Sequence, residues 1–129
     1  MDVATLEGVP LLEGLTDPDK ARIADAMKEV SHPVGGVLVA QGDLPTTFIL
    51  ILEGTVTVHR SGVHVTDLGA GDFVGEAGVV TREPRNATVI ATTPVRAAVL
   101  MGWTLRELLD EVPALAVRID EVRAARSAD

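Results

Sequence analysis

The chain has 129 residues, the length of one domain, and 47% of them are apolar, which suits a globular fold with a hydrophobic core. The net charge of −8 disfavours duplex DNA and anionic membranes, and the scarcity of aromatic residues disfavours single-stranded nucleic acids, whose bases stack on such side chains. The absence of Cys excludes disulfides, thiolate metal sites and cysteine nucleophiles. Since the acidic N-terminus has no signal-peptide pattern and no apolar run is long enough to span a bilayer, we expect a cytoplasmic protein.

The first predicted regular element is a helix in the N-terminal quarter of the chain. Asp17 has the residue type of an N-cap, and Pro18 suits the first helical position. The periodicity of the apolar residues predicts that the helix continues to about His32. The apolar face consists of Ile23, Met27 and Val30.

From residue 34 onward the pattern changes to short β-rich runs that are separated by turn residues. No crossover helices are available between these runs, so we predict an antiparallel roll or sandwich rather than a parallel sheet. Ser61-Gly62 is typical of a tight hairpin between two of the runs. The predicted strands are Val37–Gln41, Thr47–Leu52, Thr55–Arg60, Val63–Leu68, Ala87–Thr92 and Val95–Met101.

The C-terminal region returns to a helical pattern. Thr104 and Glu107 have the spacing of a capping box, and Pro113 is expected to break or restart the helix. The predicted organisation is therefore one α+β domain over residues 1–129. It comprises a helical segment 1–33, a β-roll 34–102 and C-terminal helices 103–126. The apolar residues of the two C-terminal helices are Leu105, Leu108, Leu109, Leu115, Ile119 and Val122.

The chemistry is concentrated in residues 71–89, which interrupt the β pattern. Gly75 has no Cβ, so a phosphate can approach the backbone there, and the free amides of a helical turn that begins at this residue would attract an anion. Arg85 follows a proline and can form paired hydrogen bonds to phosphate oxygens. Glu76 can accept a hydrogen bond from a sugar hydroxyl. This combination suits a sugar phosphate.

These residues also carry a resemblance to a known family. Gly71-Asp72-Phe73-Val74-Gly75-Glu76-Ala77-Gly78 and Pro84-Arg85-Asn86-Ala87-Thr88-Val89 resemble the phosphate-binding cassette of the cyclic nucleotide-binding domain family. The likeness runs over nearly all of residues 9–115. It implies an eight-stranded antiparallel β-roll of the double-stranded β-helix or jelly-roll type, with an N-terminal helix and a C-terminal helical lid.

The same resemblance implies roles for single residues. Glu76 would bind the ribose 2′-hydroxyl, Arg85 would bind the cyclic phosphate, and backbone amides of Gly75, Glu76, Ala77 and Ala87 would complete the site. Asn86 departs from the Ser, Thr or Ala that the family usually has, and since Asn both donates and accepts, it permits contact with phosphate or with a base edge. Cyclic AMP is the expected ligand on the resemblance alone, and Asn86 leaves cyclic GMP open.

The C-terminal helices have two compatible predicted roles, as a cover for the roll and as a lid that closes on the base. In the second role, Arg118, Val122 and Arg123 are the candidate base contacts.

We therefore expect a non-catalytic sensor that needs no cofactor or metal and signals through lid movement to a protein effector. We expect no attached DNA-binding domain of the catabolite activator type, and no direct contact with nucleic acid or membrane. One alternative is a ligand-silent scaffold for protein association, suggested by Asn86 and the small Ala77-Gly78 pair. Another is a cupin-type metal enzyme, since His59 and His64 lie on neighbouring predicted strands, although no close His pair with a Glu follows.

Overall fold

The computed structural model describes residues 1–44, 46–75 and 85–127, with the backbone alone for residues 123 and 125–127. Within these ranges the chain forms eight strands. They are β1 (Lys28–His32), β2 (Val37–Val39), β3 (Thr47–Glu53), β4 (Val56–Arg60), β5 (Val63–Leu68), β6 (Phe73–Val74), β7 (Thr88–Ala91) and β8 (Val95–Met101).

The strands build two four-stranded sheets, and every pairing between neighbours is antiparallel. The first sheet has the order β1-β8-β3-β6, and the second has the order β2-β7-β4-β5. The predicted eight-stranded antiparallel β-roll is therefore confirmed.

The first sheet is buried on both faces, and strand β3 shows why. Successive side chains of a strand point to opposite faces. Phe48 and Leu50 accordingly join the core beneath the helices, whereas Ile49 and Ile51 join a second core between the two sheets. A strand buried on both sides reads as a continuous apolar run, which is the pattern of residues 48–52.

The helices lie against the first sheet and complete the larger core. They are the 3₁₀ helices Val3–Leu6 and Pro10–Leu12, α1 (Asp17–Ala26), α2 (Gly102–Glu111) and α3 (Pro113–Ser127). Leu105, Leu108, Leu115 and Ile119 are buried in this core, so the predicted covering role of the C-terminal helices is confirmed. None of the helices in the part of the chain that the structure describes is long and apolar enough to cross a bilayer.

The predicted length of the first helix is wrong. Helix α1 ends at Ala26, and Val30, which was assigned to its apolar face, pairs with Ala97 in the ladder between β1 and β8. The spacing of Ile23, Met27 and Val30 fits a helix face, but pairing with a central strand of the roll stabilises the extended form instead. The β-roll therefore begins at Lys28, inside the segment 1–33 that was predicted to be helical.

Two predicted helix caps are also wrong. The N-cap of α1 is Thr16, whose side chain accepts a hydrogen bond from the Asp19 amide at 3.3 Å, and Asp17 is already helical. Helix α2 begins at Gly102, so Thr104 lies inside its first turn and forms no capping box. The predicted break at Pro113 is confirmed, because α3 begins at this residue.

The predicted hairpin at Ser61-Gly62 is confirmed. Both residues have positive φ, 53° and 81°, the signature of the two-residue turns that match the twist of paired strands. The register between β4 and β5 shifts by one residue along the hairpin: Val58 pairs with Thr66, whereas His59 pairs with His64. The extra residue in β5 is Val65, a bulge in an edge strand.

We expect Leu50→Ala to lower the free energy of unfolding by about 2–5 kcal/mol, because it opens a cavity in the core between the first sheet and the helices. Leu50 is 0% exposed there. Val63→Ala is the control, since Val63 is 68% exposed on an edge strand and its truncation should cost less than about 1 kcal/mol. Urea unfolding would measure both, and equal costs would contradict this description of the core.

Candidate functional site

The side chain of Arg85 is the central polar group of the candidate site. It is only 8% exposed, which is unusual for a residue type that is almost never fully buried without a partner. Its Nη2 donates a hydrogen bond to the backbone carbonyl of Thr47, and the Thr47 Oγ1 lies 3.4 Å from the same nitrogen. The first residue of β3 therefore holds the guanidinium in place.

Gly75 lies close to both the guanidinium and the Thr47 carbonyl. A Cβ at this position would lie 2.5 Å from the Arg85 Nη1 and 2.6 Å from the Thr47 carbonyl oxygen, and the φ of Gly75 is +93°. Both the space and the backbone conformation therefore require glycine. Gly75 and Arg85, which belong to the two separate parts of the cassette-like sequence, are brought into contact.

The backbone of Arg85 is fixed by the turn between β2 and β3. Its amide donates to the Asp43 carbonyl, and its carbonyl accepts from the Gly42 amide, both at 2.8 Å. The Gln41 amide donates to the Thr88 Oγ1 at 3.0 Å, just beyond this pair. Sequence reasoning missed Asp43 and Thr47 as parts of the site, because they act through backbone carbonyls, which leave no residue-type signal.

The residues that follow Arg85 continue the inner surface of the second sheet. Ala87 is buried, whereas Asn86 is exposed and its backbone carbonyl accepts a hydrogen bond from the Arg60 Nε at 3.2 Å. The exposed side chain of Asn86 is compatible with the predicted ligand contact. Glu76 and Ala77 lie outside the described residues, so their predicted contacts with ribose and phosphate stay predictions.

The three candidate lid residues have different surroundings. Arg118 donates through Nη2 to the Pro10 carbonyl and through Nη1 to the Glu121 carboxylate at 2.6 Å. Val122 is half-buried and packs against the larger core, and the side chain of Arg123 lies outside the described part. The predicted base contacts of all three stay predictions.

Pro10 connects α3 to the beginning of the candidate site. Its carbonyl accepts from Arg118, and its ring lies against the turn before β6, where a Cβ on Gly71 would be 3.2 Å from the Pro10 Cδ. A continuous set of contacts thus joins the last helix, the second 3₁₀ helix and the first residue of the cassette-like segment.

His59 and His64 face each other across β4 and β5, as their predicted placement on neighbouring strands suggests. Their ring centroids are 5.5 Å apart, and the His64 Nε2 lies 2.8 Å from the Asp67 Oδ1. This hydrogen bond is the largest cause of the lowered pKa of Asp67, followed by one from Thr57. Among residues 1–44, 46–75 and 85–127, no group of three or more His, Cys, Asp or Glu side chains is arranged to hold a metal ion.

Comparison with known families and proteins gives a consistent result. The family model described as "Cyclic nucleotide-binding domain" matches residues 29–112. The cAMP-dependent protein kinase regulatory subunit of Aspergillus niger is 35% identical over 111 residues, which cover 84% of this chain and 27% of that protein. The chain spans about a quarter of the length of the first curated relatives it matches.

Solved structures share the fold. The regulatory domain of Toxoplasma gondii PKA with cAMP is 25% identical with a TM-score of 0.83, over 95% of this chain and 48% of that chain. The regulatory subunit of a cAMP-independent protein kinase A from Trypanosoma brucei is 29% identical with a TM-score of 0.80, over 92% and 46%.

We expect Gly75→Ala to destabilise the protein more than Gly62→Ala. Both glycines have positive φ, so both substitutions carry a backbone cost of about 1–2 kcal/mol. A Cβ at Gly62 would meet nothing within 4 Å, whereas one at Gly75 would collide with Arg85 and with the Thr47 carbonyl. Thermal and urea unfolding would measure the difference, and equal costs would show that the contact between Gly75 and Thr47 relaxes freely.

Proposed function

The chain belongs to the cyclic nucleotide-binding domain family, and from this premise we propose that it binds a cyclic nucleotide and acts as a non-catalytic sensor. One observation carries the proposal. The buried guanidinium of Arg85 lies against Gly75, and both residues belong to the segment that resembles a phosphate-binding cassette. The net charge of −8 repels anions from the chain as a whole, so an anionic ligand needs a local positive charge. The buried guanidinium of Arg85 supplies that charge.

In this proposal Arg85 binds the cyclic phosphate. The guanidinium carries five N–H donors in a rigid fork, which matches two oxygens of one phosphate. Its bond to the Thr47 carbonyl and its contact with Gly75 fix the fork before the ligand arrives. A donor that is already in position loses little conformational entropy on binding, so more of its interaction free energy contributes to affinity.

The remaining contacts follow from the family's cassette. The amides of Gly75, Glu76, Ala77 and Ala87 donate to the phosphate, and the Glu76 carboxylate accepts from the ribose 2′-hydroxyl. Ala87 suits this role, because it is buried and lies two residues after Arg85. A small side chain at this position leaves its amide accessible to the ligand.

Cyclic AMP is the first candidate ligand. The curated relatives are cAMP-dependent protein kinase regulatory subunits, and the Toxoplasma gondii domain is described with cAMP. Asn86 is the residue that bears on base choice, since its exposed amide can both donate to and accept from a purine edge. Cyclic GMP is therefore the ligand to compare with cyclic AMP.

The proposed output is a movement of the C-terminal helices that a protein effector detects. A kinase catalytic subunit is the first candidate effector, given the names of the relatives. The contacts from Arg118 through Pro10 to Gly71 support this output, because they join α3 to the beginning of the site. The ligand can shift the equilibrium between two arrangements of these helices only by the difference between its affinities for the two arrangements.

We expect Arg85→Ala to weaken cyclic nucleotide binding by roughly tenfold to a hundredfold, since charged hydrogen bonds are worth about 1.5–3 kcal/mol. Arg85→Lys should have an intermediate affinity, because lysine keeps the charge but lacks the fork. Isothermal titration calorimetry with cyclic AMP and cyclic GMP measures both effects. Arg22→Ala is the matched control, since it removes an Arg in an exposed ion pair with Glu111.

Thermal unfolding of each variant without ligand would show that the Arg85 variants remain folded. Wild-type affinity in a folded Arg85→Ala protein would overturn the site assignment. Failure of the wild type to bind either nucleotide would favour the ligand-silent scaffold instead. The likeness to the regulatory subunit of a protein kinase A that is described as cAMP-independent makes that second function worth testing.

A further inference from the structure

Arg60 is the last residue of β4, and the strand geometry places it on the inner surface of the roll. Val56 is fully buried in the core between the sheets, and Val58 packs against the same core. Alternate residues of a strand share one face, and the register shift with β5 leaves the numbering along β4 unbroken. Arg60 therefore continues the inner row of Val56 and Val58 to the open end of the sheet.

The neighbouring strand places the candidate site directly across from Arg60. Val56 pairs with Ala91, and Val58 pairs with Val89, in regular antiparallel register. The ladder ends at His59 and Thr88, so Arg60 and Ala87 are the next residues along the two chains. Ala87 and Arg85, which precede β7, are both buried, so the chain before this strand also lies in the candidate site.

The Arg60 side chain is anchored beside this row. Its Nε donates to the Asn86 carbonyl at 3.2 Å, and this is the one hydrogen bond that its side chain forms within the described ranges. A guanidinium held through Nε keeps four further N–H donors on its two terminal nitrogens. Arg60 is exposed, so these donors are accessible to a ligand.

The hairpin tip that follows Arg60 is fixed to the same part of the molecule. The Ser61 amide donates to the Gln41 Oε1 at 2.7 Å, and the Gln41 Nε2 donates to the Ser61 Oγ at 3.2 Å. Gln41 is in turn bound to Thr88 through its backbone amide. The end of β4, the turn after β2 and the beginning of β7 thus form one hydrogen-bonded unit around Arg60.

We propose that Arg60 is a second ligand-binding cation, which binds the phosphate of the ligand from the hairpin side while Arg85 binds it from the interior. This inference rests on the proposed function, because it needs a phosphate ester next to Asn86 and Ala87. Two fixed cations on opposite sides of one phosphate offset the repulsion from a chain of net charge −8. Because Arg60 is exposed, added salt should screen its attraction more than that of the buried Arg85.

We expect Arg60→Gln to weaken binding of cyclic AMP and cyclic GMP by a similar factor, roughly threefold to tenfold at low salt. The salt dependence of the variant's affinity should also be shallower than that of the wild type. Arg60→Lys should recover most of the loss, because lysine restores the charge. Arg22→Gln is the matched control, since it removes one exposed positive charge from the helical side of the molecule.

Calorimetric titrations at two salt concentrations separate the outcomes, with thermal unfolding of each ligand-free variant. If Arg60 only supports the backbone at Asn86, Arg60→Lys will bind as weakly as Arg60→Gln and the salt dependence will not change, which overturns the proposal. A loss confined to cyclic GMP also overturns it, because that would place Arg60 at the two acceptors of the guanine edge.

If Arg85→Ala weakens binding but Arg60→Gln does not, this inference fails and the proposed function stands. A wild type that binds neither nucleotide overturns both.

Discussion

The contact between the Arg85 guanidinium, the Gly75 backbone and the Thr47 carbonyl constrains the rest of the site. Burying a charged side chain costs free energy unless hydrogen bonds replace its hydration, and Thr47 supplies such a bond. The absence of a Cβ on Gly75 allows the backbone to approach the guanidinium closely. The roll therefore holds a cation in its interior, within the segment that resembles a phosphate-binding cassette.

The architecture brings several chain segments to this cation. The turn after β2 binds the Arg85 backbone, the end of β4 binds Asn86 through Arg60, and the beginning of β3 binds the Arg85 side chain. On the helical side, Pro10 contacts both Arg118 and the turn at Gly71. A ligand that rearranged the cassette would therefore act on contacts that reach α3, which is the physical basis of the proposed output.

The sequence predicted the strands that have a clear local pattern. Strands β5 and β8 were predicted with their observed ends, and β3 lacked only Glu53, because apolar runs and glycine turns delimit them. Strand β1 was predicted as helix, and β6 was not predicted, because Val30 and the two-residue pair Phe73–Val74 become extended only by pairing with distant strands. The cap predictions failed differently at the two helices, since Thr16 rather than the adjacent Asp17 caps α1, whereas α2 begins after Met101, which makes no side-chain cap hydrogen bond.

For the site, the sequence by itself determined which residue types are present, namely Gly75, which has no side chain, and Arg85, which follows a proline. It also determined the family to which their pattern belongs. It also determined the acidic net charge against which any phosphate site must work. Only the tertiary structure decided that Gly75 touches Arg85, that Thr47 and Asp43 hold Arg85 through backbone carbonyls, and that Arg60 continues the inner row of β4. The physical reason is that backbone acceptors are identical in every residue, so only the register of the strands decides which of them meets a given donor.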